Sequence, residues 1–444
     1  MNQDSNEYVL KMAREHGVKF IRLWFTDMLG FLKSFAITVE ELEEALEAGK
    51  SFDGSSIEGF TRVDESDMVA MPDPDTFCIL PWRSSGEGQA VARMFCDIFW
   101  PDGTPYASDP RQVLKRSLQR AAAMGYTYYV GAELEYFYFR NNLAPEGLDQ
   151  GGYFDLTPLD VASDLRRDTV LTLESMGVPV ESSHHEIAPS QHEIDLRYGD
   201  ALSMADNTMT YRLVVKEVAL RNGHYATFMP KPLADHDGSG MHVHQSLFEG
   251  ERNLFHGPDE PNHLSALARR FIAGLLRHAS EIVAITNQWV NSYKRLVTGY
   301  DAPVHITWAV RNRASLVRVP PFNPRKLQAV RCEFRVPDPA CNPYLAFAVM
   351  LDSGLEGIEK GYELPEAVED DLSEMTAEQL AGRGLERLPD NLLDAVRCME
   401  RSSLVRKCLG DDLFDKLLLN KKIEWQRYHR QISEYEMKRY LPQL

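Results

Sequence analysis

Four separate stretches of this 444-residue chain place acidic, basic or imidazole side chains two positions apart. They are Glu133 with Glu135, His242 with His244 and Ser246, Glu333 with Arg335, and the run from Glu181 to Glu193 that contains Glu186. Residues i and i+2 of a strand share a face, so a fold that takes these stretches as strands must gather many charges on one side of a sheet. The first stretch reads GAELEYFYF, with aromatic neighbours that half-bury it. Two carboxylates there repel each other unless a cation sits between them. In HHEIAPSQHE, Pro189 interrupts any helix, which leaves a strand and loop across which Glu186 and Glu193 can converge. In GSGMHVHQS, the glycines allow the backbone to approach a ligand closely.

Taken singly, each stretch has an ordinary reading: a solvated strand face, a polar loop, core histidines, a structural ion pair. Arg295, Arg311, Arg313, Arg318 and Arg331 fall nearby, with Lys294 beside the first. Their forked guanidinium groups suit carboxylate and phosphate. Together the parts suggest two divalent metals held by glutamates and a histidine, facing an arginine set. That arrangement suits phosphoryl transfer. Oxygen-rich ligation with one imidazole favours Mg²⁺ or Mn²⁺ over structural zinc.

The rest of the sequence bounds the class. A net charge of −18 argues against nucleic acid as the main partner. No apolar run reaches the roughly 20 residues that span a bilayer, and the N-terminus is too charged for a signal peptide. The six cysteines form no CxxC pair and fit reduced thiols in a cytoplasmic protein. Strands are expected at 20–25, 93–100 and 126–139, and helices at 38–50 (capped by Thr38), from Pro110 to about Met124, at 201–222 and at 262–290, with a mostly helical charged tail beyond about Pro365. The turn-rich segment 101–105 marks a boundary between residues 1–103 and 104–444. The pattern is α+β, with no Walker or GxGxxG loop.

The motifs FDGSSIEGF, GAELEYFYF, HHEIAPSQHE, KPLADHDGSGMHVHQSL, NSYKRLVTGYDAP, RNRASLVRVP and RCEFRVPDPACNPYLAF occur in an order and spacing that resembles type I glutamine synthetases, across essentially the whole chain. The resemblance implies a small N-terminal β-grasp domain and a large catalytic domain. It implies a dodecamer of two stacked hexameric rings, tied by the C-terminal helices, with Asp53 and Ser56 lent to a neighbouring subunit's site. It places one metal among Glu135, Glu186 and Glu193 and another among Glu133, His242 and Glu333. ATP, the co-substrate, falls near Glu181, His244, Ser246, Arg318 and Arg331. Arg295, Arg335 and the Gly238 backbone hold glutamate, and Arg313 assists the γ-phosphoryl group. Asp53, Ser56, Tyr153, Glu186 and the flap acid Asp301 form the ammonium pocket. The implied reaction phosphorylates glutamate and then displaces phosphate with ammonia, giving glutamine.

Three motifs depart from the family pattern. The flap, usually PGYEAP, reads TGYDAP, so Asp301 is one methylene shorter than the usual acid. The usual Asn of NGSGMH, which touches glutamate, is Asp237. The usual APGQ reads APSQ, with Ser190. An added acid beside an anionic substrate is unfavourable without a compensating cation. These changes resemble the branch that joins glutamate to polyamines, ethanolamine or similar amines, which stands as the alternative activity. A non-catalytic relative is disfavoured, because retained like charges cost stability without their cations. The stretch corresponding to the adenylylated loop, 370–375, holds no tyrosine, so no adenylylation is expected there. Arg62 matches an arginine tied to glutamine feedback in relatives that lack that modification.

Overall fold

The computed structural model describes residues 3–55, 57, 59, 67–83, 90–370, 372 and 375–444. Ser56, Arg62 and residues 371, 373 and 374 therefore lie outside the described residues. In the N-terminal part, helix α1 (Gln3–Glu15) precedes strands β1 (Val18–Thr26) and β2 (Leu32–Thr38), helix α2 (Leu42–Ala48), then β3 (Lys50–Asp53), β4 (Asp67–Pro72), β5 (Cys78–Ile79) and β6 (Ala90–Phe99). Among the described residues these strands form one sheet in the order β2-β1-β6-β4-β3, with β5 also on β6. The β1–β6 pair is parallel. Val9, Ile21, Leu23, Leu42, Met94 and Ile98 pack beneath it as a buried apolar cluster of its own.

The expected helix at 38–50 is shorter than the sequence suggests. Thr38 stays extended in β2, paired with Phe20, and makes no capping bond. A single 3-10 turn at Val39–Glu41 follows, and the α-helix begins only at Leu42.

Helix α3 (Pro110–Ala123) opens the larger part as expected: the Asp109 side chain accepts from the Arg111 N–H, and Pro110 fills the first turn. The same carboxylate accepts from the Ile98 N–H of β6, which fastens α3 to the first sheet. Arg111 is buried among Asp73, Asp97 and Asp206, at 2.7, 2.7 and 3.0 Å, and so joins both parts of the chain.

The second sheet uses β7 (Thr127–Phe139), β8 (Val180–His185), β9 (Gln191–Leu196), β10 (Gly199–Asp200), β11 (Tyr225–Thr227), β12 (Met241–Glu249), β13 (Arg252–Asn253), β14 (Trp308–Ala309), β15 (Val317–Arg318) and β16 (Cys332–Phe334). Its order is β14-β15-β16-β12-β7-β9-β8, with β10 and β11 also on β7 and β13 on β12. One face of it is covered by helices. Those in the interior are α4 (Ser163–Ser175), α5 (Ala201–Arg221), α6 (Ala266–Thr286), the single turn α7 (Ser292–Arg295) and α8 (Pro343–Lys360). Helix α6 starts later than the expected 262, because Ser265 caps the Ala268 N–H and Asn262 sits at φ 55 in a preceding 3-10 turn. The tail is helical as expected, through α9 (Ala377–Gly382), α10 (Leu392–Glu400), α11 (Ser403–Leu409), α12 (Asp411–His429) and α13 (Glu434–Tyr440). No helix among the described residues is long and apolar enough to cross a membrane.

Helices α6 and α8 pack backbone to backbone through glycine. A Cβ on Gly274 would lie 2.1 Å from the Ser353 carbonyl oxygen, and one on Gly357 2.2 Å from that of Arg270. Neither carbonyl can retreat without moving its helix. Gly274→Ala is expected to lower stability by about 3 kcal/mol, seen as a fall in thermal midpoint. Gly199→Ala, whose Cβ meets nothing within 4 Å, is expected to leave it nearly unchanged.

Candidate active site

The register of the second sheet aligns the charged pairs into one row. His242 lies opposite Glu133, and His244 lies opposite Glu333. Glu135 lies opposite Glu193, which in turn faces His184. Arg318 lies opposite Glu333 at the far side. The i, i+2 spacing read from the sequence thus becomes a band running across six strands from Arg318 to His184.

At one end of the band Glu333 is almost fully buried between two arginines, Arg318 at 2.8 Å and Arg335 at 2.6 Å. Burial raises its pKa, but Arg335, His244 and His242 together outweigh this and hold it at about 2. Glu133 accepts from His244 Nε2 at 2.5 Å, and Arg331 Nε donates to His244 Nδ1 at 3.0 Å. That pair of bonds fixes the tautomer with the proton on Nε2. Glu133, His244 and Glu333 form one compact group of ligand atoms. His242, expected in that group, sits slightly outside it: its Nδ1 is 3.5 Å from Glu133 and 3.7 Å from Glu333. Its Nε2 is 4.0 Å from Glu135 and, though buried, has no hydrogen-bond partner.

At the other end Glu186 and Glu193 converge as expected, and His184 joins them at 2.8 and 3.5 Å. His184 was missed by the sequence reading, although its i, i+2 relation to Glu186 is the same signal that marked Glu133 and Glu135. Glu135 Oε2 accepts from Gln191 Nε2 and from the Gly240 N–H, both at 2.9 Å. Burial, reinforced by the Glu186 charge, pushes the Glu135 carboxyl well above its usual range. Burial with Asp195 and Glu135 does the same to Glu193. A third buried group lies behind: Asp149 Oδ1 faces His185 Nε2 at 3.1 Å, and His185 Nδ1 donates to the Glu186 carbonyl at 2.7 Å. It steadies the backbone of Glu186 from below.

The donor set fits divalent cations. Five glutamates crowd one face, burial and mutual repulsion raise the pKa of two of them, and the buried His242 Nε2 has no hydrogen-bond partner among the described residues. A hard cation relieves all three at once.

Arg295 is buried; its Nη1 and Nη2 donate to the carbonyls of Val336, Pro337 and Arg335, at 2.8, 3.3 and 3.2 Å, while its Nε has no partner among the described residues. Gly238 and Gly240 make room for it: a Cβ on Gly240 would lie 2.5 Å from Arg295 Nη2, and one on Gly238 2.3 Å from the Pro230 carbonyl. Arg335 also reaches the flap, where Asp301 accepts from it at 3.2 and 3.3 Å. Asp237 Oδ1 accepts the Asp301 backbone N–H at 2.8 Å. Its charge is faced by Lys231, which donates to the His236 carbonyl and lies 3.4 Å above the Tyr300 ring. Burial lowers the Lys231 pKa, and the nearby charges of Asp237 and Asp235 oppose this.

Ser190 occupies φ 60, a conformation that glycine adopts freely. Its hydroxyl accepts from the Leu148 and Asp149 N–H groups at 2.7 and 3.0 Å, which offsets the strain.

The remaining expected residues are placed as follows. Ser246 is buried on β12, and Glu181 is exposed on β8 beside an irregular pairing step. Tyr153 is half exposed, with its ring 5.6 Å from His184. Arg313 is exposed and makes no ion pair with any described residue. Asp53 ends β3 in the other sheet, where its carboxylate accepts from the Ser55 N–H.

Metal binding is expected to release protons. Glu135 and Glu193 carry raised pKa values, so the stability they contribute is complete below the unfolded carboxylate range and drains as pH rises toward their folded values. The opposite contributions of Glu133, Glu186 and Glu333, whose values are lowered, are complete above about pH 5. Stabilisation by Mg²⁺ or Mn²⁺ should thus grow as pH rises above the unfolded carboxylate range toward the raised folded values of Glu135 and Glu193. Calorimetry in buffers of different ionisation enthalpy reads the proton release, and a pH-independent, proton-neutral metal effect contradicts the account.

The chain matches two family descriptions: glutamine synthetase, beta-Grasp domain, over residues 17–101, and glutamine synthetase, catalytic domain, over residues 107–440. It is 54% identical to the glutamine synthetase of Mycolicibacterium smegmatis over 98% of both chains. It is 50% identical to that of Methanosarcina mazei, over 99% of this chain and 98% of the relative. Among solved structures it resembles "GmaS/ADP complex-Conformation 1" with a TM-score of 0.87 and 32% identity, over 98% of this chain and 99% of that one. The relatives named glutamine synthetase are much nearer in sequence than this structure, which leaves the amine-ligase alternative unfavoured. With matched descriptions over nearly the whole length and relatives at half identity, the chain belongs to the glutamine synthetase family.

Proposed function

We propose that the charged band on the second sheet carries out this ATP-dependent ligase's reaction, the formation of glutamine from L-glutamate and ammonia, with the following division of labour. The observation that carries it is the band itself: glutamates and imidazoles in register across the sheet, bounded by Arg318, Arg331 and Arg335. Two divalent ions, Mg²⁺ or Mn²⁺, would be held by Glu135, Glu186 and Glu193, with His184 in reach, and by Glu133, His242 and Glu333, with His244 in reach. When bound they neutralise phosphate charge and polarise the phosphoryl oxygens.

Glu181, His244, Ser246, Arg318 and Arg331 border the ATP. Arg295 and Arg335, with the Gly238 backbone, orient the glutamate carboxylates. Arg313, free of ion pairs among the described residues, meets charge on the transferring γ-phosphoryl group. Phosphorylation turns the poor leaving oxygen of the γ-carboxylate into phosphate. Tyr153, Glu186 and the flap acid Asp301 attract ammonium, and Asp301 takes its proton before nitrogen attacks the acyl carbon. Asp237 positions the flap through the Asp301 N–H and does not itself act on substrate. Asp53 and Ser56 complete the site of a neighbouring subunit in a dodecamer of two hexameric rings. The six free thiols suit a cytoplasmic setting.

The test is ATP- and glutamate-dependent phosphate release with ammonium, methylamine, ethanolamine, putrescine and spermine. Ammonium is expected to support the highest kcat/KM, and a larger amine outrunning it overturns the assignment of acceptor. Asp301→Asn is expected to lower kcat/KM for ammonium by about 100-fold while the KM for ATP stays close to that of the parent enzyme.

A further inference from the structure

The loop that carries Arg313 is fastened from outside the sheet by a segment with no assigned role. Glu369 lies in the exposed strap that follows α8. Its Oε1 accepts the Val310 N–H at 2.7 Å, and its Oε2 accepts those of Arg311 and Asn312 at 2.9 and 3.3 Å. Asn312 completes the clasp. Its Nδ2 donates to the carbonyls of Val368 and Asp370, at 3.4 and 2.7 Å, and its Oδ1 accepts the Ala314 N–H at 2.9 Å. The Val368 N–H returns to the Trp308 carbonyl at 2.9 Å, and Trp308 Nε1 reaches the Pro365 carbonyl at 2.7 Å.

The consequence is geometric. The backbone N–H groups of the three residues before Arg313 and of the one after it are each held by a side-chain oxygen. Arg313 stands at the tip of that turn, exposed and without an ion pair among the described residues. No described residue is hydrogen-bonded or ion-paired to its long side chain, so its direction is set by the turn beneath it. Burial raises the Glu369 pKa, but the three backbone donors and the Arg311 charge together outweigh it and lower the value overall. An ionised acceptor strengthens each of these bonds.

We infer that Glu369 is a positioning residue for phosphoryl transfer, acting through the Val310–Asn312 backbone to aim Arg313 at the transferring group. The inference rests on the reading that Arg313 assists that step. A misplaced catalytic group costs rate at the chemical step and leaves ground-state binding largely alone. The strap 362–370 is thereby a route by which changes on the outer surface reach the reaction.

The experiment compares phosphate release by Glu369→Ala, Arg313→Ala and the double variant, with thermal midpoint and its shift on adding Mg²⁺ and ATP as controls of folding and binding. Glu369→Ala is expected to lower kcat by about 10- to 100-fold, with KM for ATP and for glutamate within about twofold of the parent. The double variant is expected to be no slower than Arg313→Ala alone, because Glu369 acts only through that arginine. If Arg313→Ala keeps full kcat, the reading of Arg313 fails and the inference falls with it. If Arg313→Ala is slow but Glu369→Ala matches the parent, the positioning role alone is overturned. Losses that multiply in the double variant overturn it as well, since they show Glu369 working by another route. Should Glu369→Ala fail to fold, Glu369→Gln carries the same comparison. It keeps the shape and one acceptor oxygen, so a loss of at least about threefold in kcat is expected, and an unchanged kcat overturns the inference.

Discussion

The rest of this protein is arranged around one electrostatic problem: carboxylates held close together on a single sheet face. Glu135, Glu186, Glu193 and Glu333 are buried and Glu133 partly buried, and four of them fall into two compact groups of ligand atoms. Each is handled differently by its surroundings. Glu333 is paired with two arginines, Glu133 and Glu186 are hydrogen-bonded to imidazoles, and burial pushes the Glu135 and Glu193 carboxyls well above their usual range. A buried pair that lacks its counter-charge is strongly unfavourable, so the sheet is only fully content when cations are added. The price in apo stability is what makes the site receptive to metal and to the phosphates it brings.

Around that face the backbone is over-determined. Arg295 is clasped by three carbonyls and admitted by two glycines. The flap is held by its own acid on Arg335, by its N–H on Asp237 and by Tyr300 over Lys231. Asp237 and Asp301, the two departures that suggest a changed amine pocket, thus engage each other. Asp301 is shorter than the usual flap acid, and its N–H is held by Asp237 Oδ1. The same logic governs Ser190, whose hydroxyl bonds repay a conformation suited to glycine. Each departure is matched by a local interaction.

The band of charge was legible from the i, i+2 spacing because alternation along a strand needs no tertiary information. Long elements such as β7, α5 and α6 were equally readable from the chain, and Asp109-Pro110 announced α3. Thr38 misled because a strand partner, Phe20, outweighed its capping preference. His184 escaped notice because a histidine between polar neighbours looks solvated until its cross-strand partner Glu193 is known. Glu369 gave no signal at all, since three backbone N–H groups leave no trace in the sequence.

The sequence by itself determined that charged pairs would line a strand face, that metals and arginines would meet there, and which family's motifs supply them. It also exposed the three substitutions at positions 190, 237 and 301. Only the tertiary structure decided register: which imidazole meets which carboxylate, that Lys231 faces Asp237, and that Glu369 holds the loop of Arg313. Spacing along a chain fixes the face on which a side chain emerges. What it touches depends on how the strands slide past one another and where the loops return, and those choices are made by the packing of the whole core.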